Sequence, residues 1–482
     1  MIISKMSHLH KLLRFLRTKP CICSVRPITK ASNAVSLPSD LSDALDAAEI
    51  KHRNHPGARR RKQVKLPEKL LTAAEAVLET QDISKLREAA MVIRNQLWSR
   101  HLPIDNDELR SRAMNIEKEL FGNSLERMSQ EERDYVEEDA KKQVFERLKK
   151  RVRLWKPMRY DDFGARGYLV GKLAGDYAVA HDVFHEIQHL NPAFSPNSIM
   201  DFGSGLASCF WAAKSIWPKY FQEYFSVDIS NEMHNLARLL AAGGNTNAQV
   251  KFRSFFQREF LPSTDKITFD LVVSAFTLME LPNAMQRLET VASLWGKTSG
   301  LLVLIENGTQ AGHKAIAEAR DFILMISKDG GQEPAHVLAP CPHDLDCPRE
   351  TQALGIPCTF QARYEEPFLT ASRHPAISRY SYVVLQRPGE IAKEREWARV
   401  IRPVLRRSRH VVCRFCCKDA QLREFVFSKK RHGRHVYRLA RSSEWGDQLP
   451  LDMLPPDEEG TPLCDGCVED GDIDTVDDVD SK

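Results

Sequence analysis

"SIMDFGSGLA", Ser198 to Ala207, reads as a strand that runs straight into a glycine turn. Asp201, Gly203, Gly205 and Ala207 recur at every second position. Glycines at such spacing let the chain turn tightly and let backbone N–H groups approach a ligand closely. Three further strand-like stretches follow: "YFSVDIS" from Tyr224, "FDLVVSAFTLMEL" from Phe269 and "GLLVLIENGT" from Gly300. The last leads into an amphipathic helix, "HKAIAEARDFILMIS", from His313. This alternation of strands and helices predicts an α/β domain with a parallel sheet covered on both faces.

The turn narrows the choice of cofactor. A dinucleotide fingerprint, G-x-G-x-x-G, fails at Ser208. The spacing is closer to the D-x-G-x-G-x-G of S-adenosylmethionine methyltransferases, with Ala207 in place of the last glycine. An acid at the end of the following strand would hydrogen-bond ribose hydroxyls, and Asp228 stands there. Asp201, Gly203, Gly205 and Asp228 are therefore the candidate cofactor-binding residues. Methyl transfer to a base amine usually relies on an Asn/Asp-Pro-Pro-aromatic turn, where this chain has Ser274, Ala275, Phe276 and Thr277. Pro340-Cys341 and Pro357-Cys358 match a Pro-Cys nucleophile, but both sit one strand too late. Glu280 is the one candidate general base nearby. No catalytic residue is assigned.

A second question lies in "APCPHDLDCPRETQALGIPC", Ala339 to Cys358. Cys341-x5-Cys347-x10-Cys358 is not the C-x2-C knuckle of structural zinc. An iron–sulfur cluster takes four thiolates, and its own sulfides fill much of the site, so uneven spacing suits it. A fourth thiolate is available in "CRFCC" as Cys413, Cys416 or Cys417. His343 keeps a Cys3His zinc site open, and spacing alone does not separate iron–sulfur from zinc. Cys464-x2-Cys467 has knuckle spacing without a second pair and reads as unligated.

The 482 residues carry a net charge of +4, but residues 457–482 alone carry −10, leaving +14 on the rest. A basic body suits a polyanionic partner, and the acidic end reads as a disordered tail. Eleven cysteines, an odd number and unevenly spread, argue against a secreted disulfide framework. No run approaches the roughly 20 apolar residues of a membrane helix. The first acid is Asp40, and a basic amphipathic pattern precedes it, the composition of a mitochondrial transit peptide. The chain divides into a transit peptide (1–39), a helical basic region (40–159) and a methyltransferase-like domain (160–390) with a cysteine-loop insertion (331–372). A basic, OB-like β module (391–450) and the acidic tail (451–482) follow. Lys149, Lys150, Arg151, Arg153 and Lys156 surround Trp155, a pattern suited to a phosphate backbone and a stacked base.

The set "CPHDLDCP", "YSYVVLQRP", "RPVLRRSRHV" and "GRHVYRLARSSEWGDQLP", together with "DFGSGLA", resembles the mitochondrial methyltransferase-like protein 17 family. The resemblance runs from about Tyr160 to Pro450. It implies a Rossmann-like fold able to hold S-adenosylmethionine and a [4Fe–4S] cluster on four cysteines. Cys341, Cys347 and Cys358 match the loop ligands; Cys416 matches the cysteine after the extended "HV" strand, with Cys413 and Cys417 outside the pattern. It also implies a matrix protein that binds small-subunit rRNA, without membrane insertion, and assists assembly of the mitochondrial small ribosomal subunit. In this reading the cluster is structural. It would staple the C-terminal module to the sheet, because its ligands come from both. The alternative is an active mitochondrial rRNA methyltransferase; a third reading makes the cluster a sensor of iron or redox state.

Overall fold

The computed structural model describes residues 29–30, 35–59, 62–104, 106–122, 130–151, 156–250, 252, 254–264, 266–328, 334–351, 355–369, 374–388 and 396–453. Most of the predicted transit peptide, Arg153, Trp155, Cys464, Cys467 and nearly all of the acidic tail lie outside the described residues.

The helix-rich segment begins with Ser39–Asp46, α1 (Glu68–Leu78) and α2 (Ile83–Trp98), and continues through Asn106–Phe121 and Gln130–Arg151. One apolar pattern spans α1 and α2, yet the chain breaks between them. Asp82 accepts hydrogen bonds from the N–H groups of Ser84 (3.2 Å) and Lys85 (3.3 Å) and so starts a new helix. Helix α3 (Asp162–Leu190) is buried on every side along most of its 29 residues, as a helix hydrophobic all round must be. A β-carbon at Gly171 would stand 3.0 Å from Ala90 Cβ, so the glycine permits the close approach of α2 and α3.

The main sheet uses β1 (Ser198–Phe202), β2 (Glu223–Val227), β3 (Phe255–Arg258), β4 (Phe269–Ala275), β5 (Thr298–Asn307), β6 (His336–Ala339), β7 (Phe360–Tyr364) and β8 (Ala376–Gln386). Their order is β3-β2-β1-β4-β5-β8-β6, with β7 also paired to β8. Strands β1 to β5 are parallel, and β8 enters antiparallel between β5 and β6. This is a Rossmann-like methyltransferase fold. Strands β3 and β6 are only four residues long, too short to show a periodicity in sequence.

Helices α4 (Ser208–Ile216), α5 (Asn231–Ala241), α6 (Ala284–Gly296) and α7 (Gln310–Lys328) complete the layers. Leu271, Val273, Leu301 and Val303 pack with α3, α4 and α5 on one face. Val272, Leu302 and Leu304 pack with α6 and α7 on the other. The alternation follows from successive strand side chains pointing to opposite faces.

The C-terminal module holds β9 (Ala398–Val400), β10 (Leu405–Arg406), β11 (His410–Cys416), β12 (Leu422–Ser428), α8 (Lys429–Ser442, two helical pieces joined by a kink at Gly433) and β13 (Gln448–Leu449). Its strands run Thr29–Lys30, β12, β11, β9, β13 in an open path, with β10 on β11. The OB-like closure expected from sequence is not found among the described residues. Instead Val436, Leu439 and Ala440 of α8 pack with Phe415, Phe425 and Phe427 of β11 and β12. Leu41 and Leu45, from the region predicted as N-terminal and helical, enter this same core. Val35–Ser36 pairs with Asp452–Met453, so both ends of the described chain close over one module.

Candidate functional site

The sheet direction changes at β1, where β2 lies on one side and β4 on the other. Ligands of open α/β sheets sit outside the carboxyl ends of the strands at such a point. A cavity of about 440 Å³ lies there, within the range of roughly 300–1,000 Å³ usual for small-molecule sites. Gly203, Gly205 and Asp228 line it, as do Phe276 and Thr277 after β4 and Asn307 at the end of β5.

The turn is built backwards from β2. The N–H groups of Gly203 and Ser204 donate to Val227 O at 2.7 and 3.1 Å. Asp228 accepts from Gly205 N (2.8 Å) and Ser230 N (2.9 Å), which sets its carboxylate at the cavity edge. Gly203 has φ +69°, and an added β-carbon would stand 2.0 Å from Thr277 Oγ1. That hydroxyl is fixed by backbone carbonyls, including Ala275 O at 3.1 Å.

Asp201 does not line the cavity. It is buried beneath the turn and accepts a hydrogen bond from Tyr224 Oη, so its place differs from that of the three other candidates. It still lies within β1, where its side chain meets Tyr224 and Cys209, whereas the two glycines lie past the strand end. Burial pushes its carboxyl up to about 7, against the pull of the Tyr224 and Cys209 hydrogen bonds. Burial also pushes Glu306, at the end of β5, up to about 7. A carboxyl whose folded pKa is raised binds its proton more tightly when folded. The contribution of these two groups is therefore full below about pH 4 and falls as pH rises toward 7. Asp201→Asn should flatten the melting temperature's dependence on pH between about 4 and 7, against a slope of up to about 1.4 kcal/mol per pH unit per group. An unchanged slope in thermal melts would show that Asp201 ionises normally.

Sequence reasoning missed the roof of the cavity. Leu97 at the end of α2, Met158, Arg159 and Tyr160 before α3, and Tyr168 and Lys172 on α3 complete the lining. Lys172 Nζ sits 4.6 Å from the centre of the Phe276 ring and pairs with Asp176 at 2.8 Å. Glu280 lines the cavity, but Arg100 binds its carboxylate and also donates to Lys156 O at 2.7 Å. Burial raises the Glu280 pKa, with Arg100 opposing. The ion pair ties the residues of the roof to the segment after β4 through one carboxylate oxygen, Oε1. Ser274 is fully buried within β4.

A second constellation forms where the modules meet. Cys341, Cys347, Cys358 and Cys416 line one cavity of about 40 Å³, with Arg320, Arg349 and Ile401 among its walls. Arg320 holds the cysteine loop by donating to His343 O (3.1 Å) and Leu345 O (2.6 Å). Arg349 donates to Ile356 O at 3.1 Å, and Ser381 Oγ to Cys358 O at 2.8 Å. Burial raises the thiol pKa values of Cys347, Cys358 and Cys416, and neighbouring thiolates raise them further. Cys413 and Cys417 instead pack in the core of the C-terminal module. His343 Nε2 lies 3.4 Å from Cys416 Sγ. No group of three or more His, Cys, Asp or Glu among the described residues is disposed to hold a single metal ion. None of the described helices is long and apolar enough to cross a membrane.

Comparison with known proteins places the chain in a family. The ribosome assembly protein METTL17, mitochondrial, of Homo sapiens is 39% identical over 402 residues, covering 83% of this chain and 86% of that protein. Rsm22-cox11 tandem protein 2, mitochondrial, of Schizosaccharomyces pombe is 30% identical over 334 residues, covering 59% of this chain and 43% of that longer protein. Among solved structures, the plantazolicin methyltransferase BpumL in complex with SAH is 10% identical with a TM-score of 0.29, over 58% of this chain and 99% of its own. That likeness is too remote to bear on function. The family model for mitochondrial small ribosomal subunit Rsm22 matches residues 162–450, the main sheet and the C-terminal module together. The chain therefore belongs to the mitochondrial small ribosomal subunit Rsm22 family.

Proposed function

We propose that this protein is an assembly factor of the mitochondrial small ribosomal subunit. It binds rRNA on a methyltransferase-like scaffold whose two modules are joined by a structural [4Fe–4S] cluster. Its relatives are mitochondrial by name, and ribosome assembly puts it in the matrix.

The observation that carries the cluster is the convergence of four thiols from two modules on one cavity. The donor set fits. Thiolates crowded in a buried space repel one another, and bound iron relieves that cost. An iron–sulfur cluster takes four thiolates, the number this cavity supplies. Cys341, Cys347, Cys358 and Cys416 would hold it. Arg320 and Arg349 would offset the negative charge of the thiolates. A bound cluster here would supply a covalent brace, with no substrate beside it. The decisive measurement is iron, acid-labile sulfide and zinc in protein purified without oxygen. Stoichiometric zinc without sulfide would overturn the cluster.

The upper cavity retains the features for S-adenosylmethionine, held by Gly203, Gly205 and Asp228. Binding would use the Asp228 carboxylate for the ribose hydroxyls. Asp228→Ala should then weaken binding roughly ten- to a hundredfold, the value of a charge-assisted hydrogen bond or two. Isothermal calorimetry reads this directly. If the unaltered protein gives no heat, the pocket does not take this cofactor. Methyl transfer is not part of the proposal, because Glu280 is committed to Arg100 and Ser274 lies within the sheet.

The basic residues of α8, Lys429, Lys430, Arg431, Arg434 and Arg438, with Arg407 and Arg409, give the C-terminal module a cationic surface for phosphates.

A further inference from the structure

Beside the cofactor cavity lies a second, separate cavity of about 390 Å³. Arg94, Asn95 and Trp98 of α2 form one wall, and Ser378 and Arg379 of β8 form another. Lys172 and Asn307 line both cavities, so the two adjoin at these residues. We propose that this second cavity is a binding site for a single unpaired RNA nucleotide. The proposal rests on the rRNA-binding reading above and gives it a specific place.

The argument is chemical. Trp98 is large and apolar yet 46% exposed, on a wall it shares with Arg94, Asn95 and Leu97. A core role would have buried it; an open indole face beside cations is what a nucleobase stacks on. Arg94 and Trp98 are four residues apart on α2 and so share one face. Among the described residues Arg94 pairs only with Glu366, at 3.8 Å. Arg379 is exposed and makes no ion pair among the described residues. These two guanidinium groups can take the phosphates flanking a stacked base. The side-chain amide of Asn307 has no hydrogen-bond partner among the described residues. It stands at the junction, where it can donate to and accept from a base edge. A duplex base would be stacked inside its own helix and could not enter, so the site selects single strands.

The test uses the full-length protein, with a fluorescent single-stranded oligouridine of about 12 nucleotides and an RNA duplex of the same length, read by anisotropy. Trp98→Ala should weaken single-strand binding roughly tenfold and leave duplex binding unchanged. Trp98→Phe should keep most of the affinity, since it keeps a π-face. Arg379→Glu should weaken single-strand binding and lower the salt slope by about one. Arg434→Glu with Arg438→Glu on α8 should weaken both RNAs alike. Melting curves exclude misfolding, and because Trp98 and Arg379 lie on different elements a folding artefact would not give both results. If Trp98→Ala and Arg379→Glu both bind the single strand as well as the unaltered protein does, the nucleotide site is wrong, while RNA binding through α8 stands. Equal loss on single strand and duplex also overturns it, since that is general charge attraction. If the unaltered protein binds neither RNA, the broader reading fails and takes the site with it.

Discussion

Cys347→Ser is expected to lose iron and to lower stability by about 3 kcal/mol or more, a fall in melting temperature of roughly 6–12 °C. Cys347 is the most enclosed of the loop thiols, at 7% exposure, and its neighbours Cys341 and Cys358 belong to the same cavity. Cluster ligands are brought together only in the folded state, so the free energy of cluster binding is free energy of folding. Serine removes one ligand and leaves the volume almost unchanged, so the loss reports ligation rather than packing. Cys417→Ser is the control. Its thiol packs in the C-terminal core outside the cavity, so iron should stay bound. Iron content, acid-labile sulfide and the melting curve are measured on the same sample. If Cys347→Ser melts with the unaltered protein and keeps its iron, the four thiols are bystanders.

The second large effect concerns charges that no motif announces. Arg59, Asp182, Glu186 and Arg399 form a buried ionic cluster beneath the cysteine cavity. Glu186 pairs with Arg59 and with Arg399, each at 2.6 Å, and accepts from Tyr382 Oη. Asp182 lies 3.4 Å from Arg59 and accepts from Tyr380 Oη. Arg399 also donates to Pro340 O (2.9 Å) and to Gly446 O (2.8 Å). Arg399→Met should cost about 3–5 kcal/mol, because it leaves Glu186 short of a partner in a site that water does not reach. That corresponds to a fall of roughly 6–20 °C in melting temperature. Since Pro340 precedes Cys341, the same variant should also retain less iron. Adding Glu186→Gln to Arg399→Met should cost much less than Glu186→Gln alone, since the damaged pair is shared. Additive losses in the double-mutant cycle would show that the two side chains act independently.

Glu186 shows why such a cluster can persist. Burial disfavours its charge, but Arg399 and Arg59 outweigh that and hold its carboxyl below the ordinary range. The sign for pH follows. This contribution is present above the unfolded carboxyl pKa near 4 and is lost as pH falls through the lower folded value. It runs opposite to that of Asp201, so the two groups are separable by comparing their variants across pH.

Much of the candidate cofactor cavity was legible from sequence because its lining at the strand ends is local. The turn at Gly203 and Gly205 and the acid Asp228 sit at strand ends, and a strand–glycine–helix passage dictates where strand ends point. Local periodicity also sorts the three cysteines of "CRFCC" onto two faces. Cys413 and Cys417 are four residues apart along β11 and the residue just past it and so share a face, whereas Cys416 takes the other. The structure puts Cys413 and Cys417 in the core of the C-terminal module and Cys416 with the loop cysteines. Asp201 is set apart by position: it still lies within β1, whereas Gly203 and Gly205 lie past the strand end, where the cavity opens.

What only the tertiary structure decided is everything that depends on distant segments meeting. The N-terminal region reads as one helical, basic stretch. In the fold, Leu41 and Leu45 join Val400 and Phe415 in the C-terminal core, while α1 and α2 cover the main domain. No periodicity separates those fates, because an amphipathic helix specifies that it needs an apolar surface, not which one. The partners of Glu186 lie on Arg59 and Arg399, on opposite sides of it in the chain. The roof of the cofactor cavity comes from residues before and within α3, far in sequence from the glycine turn. Short-range spacing encodes turns, caps and faces, whereas burial of charge and the choice of packing partner are settled by the free energy of the whole assembled core.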